Sequence, residues 1–490
     1  MKLGLYKSVD LLSSLSFNQN APVLITKARS LYKLCQYHSA IKVLDTITRN
    51  NCTEEEFNKI LEIRFLCYFH MPNSATNCLT LLPLLANRKL TPKLHILAAD
   101  AYILQDSARS PNHPAIPHLI EVLKIYPNAI ELVEKLLSVG APVDEIIKQI
   151  PLGPVHLYLQ SLQFTYNSQY QNAINCLQKI QFPHCSVPPV CVLNQICLNA
   201  YQLNQIDLFD ITADLIPKDD LTIVDIRAAR LKCLNKRAEL HLLVLTALNT
   251  DENNSNSWIA FSYYLEMTGD AQRAIQASRK AVILDGRSKR AYMRHGDLRM
   301  RRNDYRKALT SYFKALQLQE SIDTYSAIIN CCCLLEDWQT AEVYAVSAQK
   351  LYPIDSVNGP EALSLMGMAL RGRNPEKAFA MLELSLQKAP DNTDALNTMI
   401  DMKLKENDFE GAENILEKYK DANEFFYWLK LSEIYGMKKE LKKALEYITN
   451  ALQLDPENEQ AREMQSQLEM LIRHQNDSFF GSDEEDSFSF

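Results

Sequence analysis

Glycine and proline are scarce, at 12 and 20 residues in a chain of 490. Hairpins and tight turns draw on glycine for positive φ and on proline for a preset φ. So small a supply excludes a chain built on many hairpins and leaves helix. The 12 cysteines include no CxxC pair. A secreted disulfide scaffold is short and cysteine-dense, so free buried thiols in a reducing compartment are expected. Basic excess is missing as well. The net charge of −7 is against the footprint of a general nucleic-acid binder, and no nucleic-acid partner is expected. No window approaches the roughly 18 apolar residues of a membrane span. The opening MKLGLYKSVDLLSSL lacks the unbroken apolar segment of a signal peptide. These absences predict a protein of nucleus and cytoplasm with no membrane partner.

Catalytic signatures are absent too. The chain holds no GxxxxGK[ST], GxGxxG, GxSxG or HExxH, and its ten histidines form no metal-spaced pair. No catalytic residue, cofactor, metal or small-molecule substrate is expected, and the chain is not expected to be an enzyme. Cys331, Cys332 and Cys333 stand in a row. Neighbours on a helix point about 100° apart, so three in succession cannot close on one ion and read as small buried residues. His184 and Cys185 with Cys191 and Cys197 match no zinc-ligand spacing.

What is present is a repeat. From Asn256 to Leu318, Trp258, Phe261, Ser262 and Leu265 precede Ala274, Ser278 and Ala281. About 34 residues on, the same offsets carry Tyr292, His295, Gly296 and Arg299, then Ala308, Tyr312 and Ala315. That is the tetratricopeptide pattern of paired helices. Two axes approach closely only where Ala, Ser or Gly stands at the crossing, here Ser262 and Gly296 against Ala274 and Ala308. Large anchors such as Trp258 and Tyr292 fill the space towards the next pair. One pair cannot bury its apolar face alone, so more of the same must flank it. Ala341 continues the register, and Trp428 with Ala444 matches the template almost fully. The prediction is an all-α superhelix of about 12–14 helix pairs.

Along the chain, residues 1–150 form the N-terminal repeats, 151–253 degenerate middle repeats and 254–457 regular C-terminal repeats. Residues 458–475 read as a capping helix and 476–490 as a disordered acidic tail. In that tail Ser482 precedes Asp483, Glu484 and Glu485, a context for an acid-directed kinase or simply a solubilising end. Leu11, Leu12, Leu15, Leu81, Leu82, Leu84 and Leu85 are more aliphatic than a free solenoid end should leave in water. They predict a homodimer through the N-terminal half.

One basic cluster stands out. Arg290, Arg294 and Arg301 fall within about 40° of one another at the helical period. Beside Tyr263 on the inner face they could grip an acidic segment; the blander reading, a solvated charged stripe, is the favoured one. The two-carboxylate clamp of some such repeats needs Lys and Asn where Ile259, Tyr263 and Arg294 stand, so that clamp is disfavoured.

Repeat class by itself implies a binding scaffold and names no partner. Beyond it, LLSSLSF, QYHSAIKVLDTI, TPKLHILAADAYILQ, PHLIEVLKIYPNAIELVEKLLSVGA and the 258–318 stretch, in this order and with an acidic end, resemble the subunit 7 family of the anaphase-promoting complex (cyclosome). The chain departs from it in being short between its first and second repeats and weak around 190–250, which leaves a sister repeat subunit of the same complex open. The resemblance implies a homodimeric, non-catalytic scaffold. Its partners would be other tetratricopeptide and scaffold subunits of a ubiquitin ligase that acts in mitosis. A scaffold of a trafficking or ciliary complex is the alternative, and co-purification separates the two.

Overall fold

A computed structural model describes residues 6–15, 20–69, 71, 77–78, 80–85, 90–105, 110–181, 187–420, 423–456 and 458–480. Helices follow one another along all of this, with no strand among the described residues. The chain divides into two compact units. Residues up to Ile223 form the first, and those from Val224 onward the second, except Gln317–Gln319, which group with the first.

Each unit is a run of antiparallel helix pairs, and the local sequence shows why. The link between the two helices of a pair repeatedly carries a residue at positive φ: Ser168, Asn204, Asn235, Gly269, Asn303, Glu336, Asn407 and Lys439, all between +53° and +83°. A left-handed residue there ends the first helix and turns the chain back at once. The next residue then often caps the second helix. The side chains of Asp270, Asp337 and Asp408 accept from the backbone N–H of Arg273, Thr340 and Gly411. Three second helices stop just ahead of proline. Tyr352, Ala389 and Asp455, each followed by Pro, leave helical geometry with ψ of 85°, 90° and 86°.

In the first unit the lead-in helix Tyr6–Leu15 packs on Ala21–Lys33, which pairs with Tyr37–Asp45. Ile25, Ala28, Leu31, Ala40 and Leu44 bury their side chains with Ile60, Ile63 and Cys67 of Glu54–Phe69. Farther on, Pro92–Gln105, Ala115–Ile125, Ile130–Val139 and Pro154–Tyr166 share an aliphatic core from Ala99 to Leu162. Gly140, at φ +83°, closes the Ile130–Val139 helix. The middle stretch with weak anchors also folds as pairs, Val190–Gln202 with Ile206–Asp214 and, in the second unit, Val224–Cys233 with Arg237–Thr250. The core is a series of contiguous clusters, because each pair meets mainly its neighbours.

Several expectations change. Of the N-terminal leucines, Leu11 and Leu12 are 60% and 68% exposed and Leu84 is 41% exposed, but Leu81 is buried. Leu81 packs with Leu61, Phe65 and Leu94, so it belongs to the core and not to a docking face. The side chains of Leu15, Leu82 and Leu85 lie outside the described residues. The last helix runs Glu459–Phe480, past the predicted end at 475 and into the stretch read as tail. Ser482 lies outside the described residues.

Candidate functional site

The small-residue crossings of the second unit set its geometry. Ser262, Ala274, Gly296, Ala308, Ala341 and Ala444 are all buried. Gly296, read against Ala308, in fact lies beneath the ring of Tyr312: an added Cβ would stand 2.3 Å from Cε1. The anchors are half-buried. Trp258 meets Phe261 edge-on, donates its ring N–H to the carbonyl of Glu252 at 2.7 Å and carries the Lys280 ammonium 3.6 Å from its ring centroid. Trp428 stacks on Tyr447 at 5.8 Å. Tyr292 is half-buried, and burial raises its phenol above the ordinary value.

With the pairs stacked, the first helices Val224–Cys233, Ser255–Met267 and Lys289–Met300 lie side by side in sequence order. Here the arginine cluster takes a form that neither reading of the sequence describes. Arg294 is 3% exposed. Its Nε donates to Ser262 Oγ at 2.8 Å, its Nη2 to Glu266 Oε2 at 2.6 Å, and its guanidinium lies 3.7 Å from the ring centroid of Tyr263. Glu266 also accepts from Lys232 at 2.8 Å and from Arg301. Arg290 donates to Asp225 at 2.8 Å, a buried carboxyl that desolvation holds above its ordinary pKa against the pull of Arg290. Arg294 is therefore an internal tie between repeats and no part of a solvated stripe. Arg301, 61% exposed in its side chain, reaches solvent while paired.

The three arginines thus meet acids one and two repeats earlier, which a single-helix projection cannot show. The signal was nonetheless in the sequence. Opposite charges recur about one repeat apart, as in Glu266–Arg301, Asp100–Lys135, Glu342–Arg373 and Glu383–Lys418, and each of these pairs touches.

Farther along the same line of first helices a cavity of about 520 Å³ opens. Its walls come from Lys289–Met300, Ile322–Leu334, Gly359–Leu370 and the start of Thr393–Lys405, with Tyr312 at its floor. Asp297, Asp323, Glu361 and Asp394 line it, which the sequence analysis missed. Tyr312 donates to Asp297 at 2.9 Å, and burial raises the Asp297 carboxyl despite that bond and nearby Arg294. Glu361 keeps solvent access, yet dehydration by the walls, with Asp323 and Asp394 opposite, raises its carboxyl too. Lys289 donates to Ser321 at 2.6 Å, and burial lowers its ammonium.

The three adjacent cysteines are buried, and desolvation pushes the Cys332 and Cys333 thiols up to about 12 and about 11. Cys191 is exposed while Cys197 is buried against Thr212 at 3.1 Å; His184 and Cys185 lie outside the described residues. Among the described residues no helix is long and apolar enough to cross a membrane.

No family model matches the chain. It is 22% identical over 435 residues to anaphase-promoting complex subunit 7 of Dictyostelium discoideum, covering 83% of this chain and 73% of that protein. It is 24% identical over 256 residues to anaphase-promoting complex subunit 7 of Arabidopsis thaliana, covering 52% of this chain and 45% of that one. Among solved structures, that of the hetero-tetramer Cut9–Hcn1 of the same complex superposes with a TM-score of 0.53 at 14% identity, over 94% of this chain and 93% of its own. The chain is a tetratricopeptide-repeat α-solenoid, similar in sequence over most of its length to subunit 7 of the anaphase-promoting complex.

Proposed function

We propose that the chain is a non-catalytic scaffold subunit of the anaphase-promoting complex, the ubiquitin ligase of mitotic progression, and holds other subunits through protein–protein contacts. The observation that carries this reading is the similarity to the Dictyostelium subunit over 83% of the chain. The solenoid supports it physically, because stacked pairs hold a surface at fixed spacing without a single large core. The reading includes a homodimer through the N-terminal half, supported by exposed Leu11 and Leu12 on the lead-in helix. It also places the chain in nucleus and cytoplasm.

Affinity purification of the tagged chain from dividing cells, read by mass spectrometry, tests the assembly. Recovery of the ligase subunits is expected; recovery of transport or ciliary components without them would replace this reading by the alternative. Light scattering on the purified chain tests the dimer. The mass of a dimer is expected, falling to that of a monomer in Leu11→Ser with Leu12→Ser, and a monomeric parent would remove the dimer from the reading.

A further inference from the structure

The last helix, Glu459–Phe480, outruns the repeat it packs on. Leu468 is its last residue in the shared core, set against Tyr435 and Leu441 with Gly436 beside it. Residues 469–480 rise about 18 Å past that point. Leu471 stands one turn on from Leu468 and so on the same face. It is 52% exposed, and Met437 at the adjoining turn is 53% exposed. Lysine crowds that turn: Lys438, Lys439, Lys442 and Lys443 stand with one acid between them, Glu440. Lys438 pairs with Glu413 and Lys443 with Glu440. Lys439 and Lys442 are exposed and meet no carboxylate among the described residues. An apolar strip edged by cations is thus left in water at the end of the second unit.

The chain that follows has matching chemistry. Residues 481–490 lie outside the described residues and read GSDEEDSFSF. Asp483, Glu484, Glu485 and Asp486 form an unbroken acidic run, and Phe488 and Phe490 alternate with serine behind it. Gly481 comes directly after the helix, where glycine most readily takes the left-handed conformation that turns a chain back. Ten residues extend to about 33 Å, long enough to return over the overhang and reach the turn.

We propose that residues 481–490 fold back on this end of the solenoid, with the acidic run on Lys439 and Lys442 and the phenylalanines on Leu471 and Met437. Exposed charge pairs are weak singly, but a segment tethered this closely meets its site at millimolar effective concentration. The contact gives the end of the solenoid the polar outer face that a terminal repeat needs. The inference does not depend on which complex the chain joins, and failure to recover ligase subunits would leave it untouched.

Carbodiimide cross-linking of the full chain, which joins a carboxylate to a lysine amine in contact with it, tests the proposal in an equal mixture of unlabelled and isotope-labelled protein. Links from Asp483–Asp486 to Lys439 or Lys442 are expected within one isotope, and they should fade as salt rises. Cleavage after Glu484 and Glu485 by a glutamate-specific protease, read as intact mass, gives a second measure. Lys439→Glu with Lys442→Glu should speed that cleavage about fivefold, and Leu471→Ser about threefold. The melting temperature should not change in either variant, since all three side chains are exposed. Links spread evenly over other lysines, or cleavage that the variants leave unchanged, would overturn the proposal. Links formed only between isotopes would overturn it in favour of the same segment of a second copy.

Discussion

Arg294 and Glu266 meet at 2.6 Å across two successive first helices, with the arginine side chain 3% and the glutamate 11% exposed. Ser262 extends the tie, accepting from Arg294 and donating to the carbonyl of Ile259 at 2.7 Å. Two repeats are thereby held in register by a charge pair where an aliphatic contact would hold them less specifically.

Removing one member leaves the other charge buried and unmatched. Glu266→Gln should therefore cost about 3–5 kcal/mol in urea denaturation. Arg301→Ala, at the exposed side of the same glutamate, should cost no more than about 1 kcal/mol. Equal effects would mean that burial does not govern this cluster. It also follows that replacing all three arginines by glutamate would unsettle the fold and could not test partner binding cleanly.

Two glycines in first helices should respond oppositely to alanine. At Gly296 the new Cβ would stand 2.3 Å from the Tyr312 ring, which is 2% exposed and bonded to Asp297. Overpacking there should cost about 1–3 kcal/mol. At Gly436 the nearest atom is Leu468 Cδ2 at 3.9 Å, an ordinary contact. Gly436→Ala should stabilise by about 0.5–1 kcal/mol through helix propensity. Thermal melting of both variants reads the sign directly.

The turn residues at positive φ allow a test of local strain. Glu336 sits at φ +58°, a conformation that costs a side chain about 1–2 kcal/mol. Glu336→Gly should raise stability by about 1 kcal/mol after glycine's own entropy is set against it. Gly269, at φ +83° with no atom within 4 Å of an added Cβ, should lose about 1 kcal/mol on change to alanine for backbone reasons alone. A gain in Gly269→Ala would contradict the account of the turns.

Acid should weaken the second unit through His295. Burial, with Arg299 and Arg279 adding repulsion, lowers its pKa from 6.5 to about 4, and its Nδ1 lies 2.9 Å from Ser278 Oγ. Between those pH values the unfolded chain binds the proton more readily than the folded one. The neutral imidazole's contribution is fully present above pH 6.5 and is lost as pH falls towards 4, by at most about 3 kcal/mol. His295→Gln should flatten the slope of stability against pH in that window; an unchanged slope would assign it to other groups.

Much of the fold was legible without coordinates because the repeat is written locally. The 34-residue offset, the small residues at Ser262, Ala274, Gly296, Ala308, Ala341 and Ala444, and the proline stops each act within one pair of helices. The scarcity of glycine and proline pointed to helix before any repeat was aligned, and the same sequence carried the family resemblance. What lay beyond it was everything set by stacking one pair on the next. The basic residues of Lys289–Met300 looked like a face for partners because their acids, Glu266 and Asp225, stand one and two repeats away. Leu81 looked exposed for the same reason: its neighbours Leu61, Phe65 and Leu94 belong to flanking helices. The acidic cavity combines residues separated by as many as 97 positions, Asp297 to Asp394, and no single helix reveals it. Periodicity within the chain determined the helices and their pairing; which charges are buried and which face a cavity was decided when the repeats stacked, because burial is a property of neighbours.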